Sequence, residues 1–128
     1  MAVVALDHLV LTVKNIDQTC SFYVSVLGMH EVTFGANRKA LAFGSQKINL
    51  HEYGHEFEPK ANLPTPGSAD LCFVWASSLT EFIERLQDLG VPILAGPVAR
   101  TGALGAIQSV YIRDPDENLI EVSVYELQ

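Results

Sequence analysis

The sequence predicts an α+β fold of two βαβββ modules, on three observations. The first is an internal repeat. The strand-like runs Asp7-His8-Leu9-Val10-Leu11 and Ala69-Asp70-Leu71-Cys72-Phe73 correspond, and both His8 to Asp70 and Leu27-Gly28 to Leu89-Gly90 span 62 residues. Two markers at one spacing mean that the halves share a plan. The second is that each run leads into a helix-like stretch closed by glycine and then into further strand-like runs. The third is size: 128 residues, 48% of them hydrophobic, can bury a core as one domain of two similar halves. Module one is expected over 6–53, a linker over 54–68 and module two over 69–126.

Residues 6–13 alternate as a strand, with Leu9, Leu11 and Val13 on one face and His8, Val10 and Thr12 on the other. Over 16–27, Phe22, Tyr23, Val26 and Leu27 recur at helical spacing, Asn15 or Asp17 offers an N-cap, and Gly28 a stop. Strands near 30–34, 38–44 and 47–53 follow, parted by Gly35-Ala36-Asn37 and Gly44-Ser45. The stretch 54–68 has three prolines and no period; it is expected to be a connection, and such lengths often serve as lids. A fifth strand over 69–75 precedes Ser78-Leu79-Thr80-Glu81, a capping box for a second amphipathic helix through Phe82, Ile83, Leu86 and Leu89, closed by Gly90. Strands near 92–98, 106–113 and 118–125 complete the plan, joined by a loop over 100–105 and a turn at Asp114-Pro115-Asp116-Glu117-Asn118.

A net charge of −7, with no basic run longer than Arg38-Lys39, argues against a nucleic-acid or anionic-membrane surface. The apolar opening Met1–Leu6 is too short for a signal peptide or a membrane span, so a cytoplasmic protein is expected. Cys20 and Cys72 give neither a disulfide framework nor a CxxC motif, and both are expected as small buried hydrophobes. With no GxGxxG, P-loop or nucleophile elbow, a nucleotide cofactor is not expected.

Polar residues on apolar strands are costly to bury unless something pairs with them. If Leu9 and Leu11 pack on the first helix, His8 points away from it; the same parity turns Asn49 and His51, Asp70, and Glu121 from their helices. A cavity wall of His8, Asn49, His51, Asp70 and Glu121 is expected, of which three or four could close on a divalent ion. Each has an ordinary explanation when taken alone: a hydrogen-bonded structural histidine, or Glu121 paired with Arg113 or Lys47. His30 and His55 are expected to be solvated. Arg100, read as lying in a flexible glycine-containing loop, is a candidate to meet an anionic substrate, or else an ordinary exposed arginine.

The segments Asp7-His8-Leu9-Val10-Leu11, Phe22-Tyr23-Val24-Ser25-Val26-Leu27-Gly28-Met29 and Asp114-Pro115-Asp116-Glu117-Asn118-Leu119-Ile120-Glu121 resemble the vicinal oxygen chelate superfamily of glyoxalase I, fosfomycin-resistance transferases and extradiol dioxygenases. Lys47-Ile48-Asn49-Leu50-His51-Glu52 and Pro66-Gly67-Ser68-Ala69-Asp70-Leu71-Cys72 look closest to glyoxalase domain-containing protein five and bacterial virulence-associated relatives. The resemblance implies two βαβββ modules forming a curved sheet around a metal-binding cavity, with His8 and Glu121 matching the first and last ligands. Asp70 stands where relatives usually carry histidine, and Asn49 where glyoxalases carry glutamate. The resulting expectation is a metal ion (Ni, Zn, Mn or Fe) on His8, His51, Asp70 and Glu121, with Glu121 also catalytic and Asn49 and Arg100 binding substrate. The implied activity is that of a glyoxalase-like lyase or isomerase chelating adjacent oxygens of a small molecule. The alternatives are an extradiol-type dioxygenase using His8, His51 and Glu121, and a metal-free drug-binding protein. A homodimer is expected from the family.

Overall fold

Each half of the chain builds a four-stranded sheet in which the first and last strands run parallel, a pairing that only a crossover connection permits. The structure, a computed structural model, describes residues 1–126. Its elements are β1 (His8–Val13), α1 (Ile16–Leu27), β2 (His30–Phe34), β3 (Arg38–Phe43), β4 (Gln46–Glu52), β5 (Asp70–Val74), α2 (Leu79–Leu89), β6 (Ala95–Gly102), β7 (Gly105–Arg113) and β8 (Leu119–Tyr125). The fold is α+β, two βαβββ modules with sheet orders β1-β4-β3-β2 and β5-β8-β7-β6. Two compact units result, one over 1–68 and the other from Ala69 onward. Among the described residues no helix is long and apolar enough to cross a membrane.

The helices start and stop where their chemistry dictates. Asn15 accepts the Gln18 N–H at 2.9 Å and Ser78 accepts the Glu81 N–H at 3.1 Å, satisfying donors that have no partner inside the helix. Gly28 and Gly90 close them at φ 70° and 69°, the left-handed conformation that glycine adopts without strain. In the first unit Cys20, Tyr23 and Val26 of α1 are buried, as are Leu11, Val13, Leu41, Ile48 and Leu50 of its sheet. In the second, Phe82 and Leu86 of α2 are buried together with Val110, Ile112, Ile120 and Val122. The core therefore lies on the helix side of each sheet, and the polar candidates fall on the other.

The turn before β8 is built as its composition foretells. Asp114 accepts from the backbone N–H groups of Asp116 and Asn118 and from the Asn118 side chain, while Asn118 Oδ1 accepts the Ala69 N–H at 2.8 Å. One buried amide thus joins the start of β5 to the start of β8 and fixes their stagger.

One region departs from expectation. β6 runs Ala95–Gly102 rather than near 92–98, with a register shift at Gly96-Pro97, and only Ala103 and Leu104 separate it from β7. Gly96 sits at φ 102°, and a side-chain carbon there would strike the Ser109 backbone. The strand bulges at this glycine and proline and continues four residues past its expected end.

Candidate functional residues on the two sheet faces

In the first unit the parallel register pairs His8 with Lys47, Val10 with Asn49 and Thr12 with His51, so these side chains share the face away from α1. His8 is exposed at the edge strand, and its Nδ1–H donates to Asp7 Oδ1 at 2.8 Å. That leaves Nε2 as the lone-pair nitrogen, the arrangement found where a carboxylate orients a metal-binding imidazole. Asn49 is 6% exposed, and its buried Oδ1 has no hydrogen-bond donor. His51 is 3% exposed. It lies four residues further along the strands than His8, roughly 13 Å at the usual rise. Metal–nitrogen bonds near ~2 Å make it hard for one ion to hold both rings.

His51 instead belongs to a cluster that the sequence did not reveal. An Arg38 Nη donates to His51 Nε2 at 3.2 Å, and the guanidinium carbon lies 5.0 Å from the Phe34 ring centre and 4.5 Å from that of Phe57. Phe57 also meets His51 edge to face at 5.5 Å. Since arginine only donates, Nε2 must accept and the His51 proton resides on Nδ1. Burial, reinforced by the Arg38 charge, holds the imidazole below its ordinary pKa. Phe57 comes from the stretch 54–68, so that connection is folded against the sheet; Pro59, Lys60, Ala61 and Pro64 from it line a cavity of about 370 Å³ with Val10, Thr12 and His51. The missed signal was Arg38 set between its hairpin partner Phe34 and the distant Phe57.

In the second unit Asp70 pairs with Leu119, Cys72 with Glu121, and Val74 with Ser123. Glu121 Oε2 accepts from the Ser109 hydroxyl at 2.6 Å and lies 3.4 Å from that of Ser123. Ser109 spends its single proton on Glu121, so Ser123 donates to Ser109 at 2.7 Å and Cys72 to Ser123 at 3.3 Å. An ordered relay therefore ends on one carboxylate oxygen. Glu121, Ser123, Cys72, Ile107 and Tyr125 line a cavity of about 350 Å³ against the β6–β7 hairpin.

Within its own unit Arg113 does not pair with Glu121 but donates to the Glu117 carbonyl; in the first unit Lys47 Nζ stands 3.9 Å over the Phe34 ring. Cys72 is exposed rather than buried, because it shares the open face with Asp70 and Glu121; Cys20 is buried as expected, its thiol pushed up to about 12 by burial and by Glu31. Arg100 is in β6, not a flexible loop, and donates to the Tyr111 hydroxyl at 3.0 Å and to the Ala99 carbonyl. His30 and His55 are exposed.

The two registers match. Asp70 stands to Glu121 in its sheet as His8 stands to Asn49, and Ser123 occupies the place of His51. His8 and His51 belong to one unit and Asp70 and Glu121 to the other. Among the described residues no three His, Cys, Asp or Glu side chains gather into a metal cage.

Comparison with known proteins agrees with this architecture. The chain is 57% identical over 125 residues to virulence protein STM3117 of Salmonella typhimurium, covering 98% of this chain and 87% of that protein. The crystal structure of STM3117 superimposes with a TM-score of 0.96, at 56% identity, covering 98% of this chain and 100% of that one. Glyoxalase domain-containing protein RDO1 of Mycosarcoma maydis is 56% identical over 126 residues, 98% of this chain and 71% of that protein. More distant is a lactoylglutathione lyase structure from Agrobacterium tumefaciens, 26% identical with a TM-score of 0.70, covering 94% of this chain and 92% of the other. The model of the Glyoxalase/Bleomycin resistance protein/Dioxygenase superfamily matches residues 5–122, and the chain belongs to that superfamily.

Proposed function

We propose that the chain is a metal-dependent, glyoxalase-like enzyme, a lyase or isomerase acting on a small molecule with adjacent oxygens. The observation that supports this reading is the Asp7–His8 pair, which places the His8 proton on Nδ1 and leaves the Nε2 lone pair for an ion. The donor types are consistent with a divalent ion: an imidazole nitrogen at His8, carboxylates at Asp70 and Glu121, and the orphaned Asn49 amide oxygen. His8 and Glu121 are the proposed principal ligands, with Asp70 and Asn49 as supporting oxygens, and His51 is assigned to substrate. When bound, the ion would polarise the substrate's adjacent oxygens.

The protein's own part falls to Glu121. Its Oε2 is occupied by the serine relay, so Oε1 is the oxygen that takes or returns a proton next to a substrate carbonyl. Ser109 and Ser123 hold the carboxylate in place as it does so. The dioxygenase alternative required His8 and His51 on one iron, and the four-residue stagger between them speaks against it.

Elemental analysis of natively purified protein tests the proposal. About one divalent ion per chain is expected, reduced to background in His8→Ala and Glu121→Gln. Full occupancy in both variants would overturn the assignment, and metal-free wild-type protein would favour a binding protein of the same fold.

A further inference from the structure

The cavity under the stretch 54–68 presents hydrogen-bond donors to its interior and few acceptors. His51 lines it and carries its proton on Nδ1. Thr12, 8% exposed, lines the same wall and carries a hydroxyl, and Lys60 supplies an ammonium group. Behind His51 the Arg38 guanidinium is packed between Phe34 and Phe57, its Nε buried and without a partner. This half-buried cation raises the potential felt by an occupant of the cavity. Two carboxylates stand nearby and offset it in part. Glu56 is engaged by the Gly54 N–H at 2.8 Å, and Glu58 pairs with Lys60 at 2.9 Å but is 73% exposed, so an incoming carboxylate can replace it at small cost. The remaining wall is apolar: Val10, Pro59, Ala61 and Pro64.

We infer that this cavity binds a small organic acid, its carboxylate received by Thr12, His51 and Lys60 and its compact apolar body laid on Val10, Pro59, Ala61 and Pro64. A cationic ligand would meet the Lys60 ammonium and find Glu56 and Glu58 already engaged, and a bare inorganic anion would leave the apolar wall unused. At about 370 Å³ the space is of the size that holds small ligands. The inference does not rest on the metal-dependent reading, since the whole cavity lies within the first unit and is set apart from His8 along the sheet.

The test is a titration of the full chain, stripped of metal with EDTA, using benzoate, benzamide and inorganic phosphate, followed by amide chemical shifts. Benzoate should saturate with shifts concentrated at Thr12, His51 and 59–64, and benzamide should bind at least about tenfold more weakly. Phosphate should not displace benzoate. Lys60→Met should lower benzoate affinity about two- to fivefold, as expected for one partly exposed ion pair, and Thr12→Val should also weaken it. Both variants should keep the wild-type circular dichroism and melting temperature. His8→Ala should bind benzoate as wild type does, which separates failure here from failure of the metal assignment. Equal binding of benzoate and benzamide, displacement by phosphate, or unchanged affinity in both folded cavity variants would overturn the inference.

Discussion

His51 is the side chain whose chemistry the fold alters most. Burial and the adjacent Arg38 charge favour its neutral form, whereas in the unfolded chain it takes up a proton near 6.5. Below that pH the unfolded state binds a proton that the native state refuses, so stability rises with pH across this window and is lost as pH falls. Urea midpoints should therefore drop between pH 7.5 and 5.5, and His51→Gln should flatten that part of the profile. An unchanged slope in the variant would show that other groups carry the dependence. The sequence placed His51 correctly on the open face, but its partner could not be read. Arg38 is thirteen residues away on β3, Phe57 lies in a stretch without period, and only the folded chain sets them around one imidazole.

At the scale of elements, caps and turns were the most legible features because their signals are local. Asn15, Ser78, Gly28, Gly90 and the Asp114–Asn118 turn all act where their chemistry pointed. The extent of β6 was not legible: an expected end near 98 left Arg100 in a loop, whereas the strand runs on to Gly102, with glycine needed at 96 where the Ser109 backbone lies against it. The turn also does more than reverse the chain, since Asn118 is fully buried and holds β5 to β8 through Ala69. Replacing it with alanine strands the Ala69 N–H and removes the side-chain donor to Asp114 Oδ2. Asn118→Ala should destabilise the chain by about 2–3 kcal/mol in urea unfolding. A change under about 0.5 kcal/mol, the range of ordinary surface substitutions, would contradict the bridging role.

At the scale of the whole molecule, the fold class was readable because the repeat spacing and the alternation of apolar residues agree with each other. The candidate site was readable in its faces but not in its register. The 62-residue spacing that relates His8 to Asp70 becomes 72 between Asn49 and Glu121, so a constant offset misses their equivalence, and His51 was grouped with His8 on parity alone. If the proposed ion is bound, its free energy adds to that of folding. At a hundred times its dissociation constant it contributes about 2.7 kcal/mol, which should raise the melting temperature by on the order of 10 °C. His8→Ala should abolish the rise, and an equal rise in that variant would place the ion elsewhere.

The change from 62 to 72 also carries a history. The second module holds ten more residues than the first between its helix and its last strand, yet β8 meets β5 in the same stagger as β4 meets β1. A slip of one residue would have turned Glu121 into the core and Ile120 out of it. The added length lies in longer β6 and β7 strands, in the connection from α2 to β6 and in the turn before β8, and none of it enters the β5–β8 pairing. Lineages of this chain should gain and lose residues in the β6–β7 hairpin and between α2 and β6, while the stretch from Asn118 to Glu121 keeps its length.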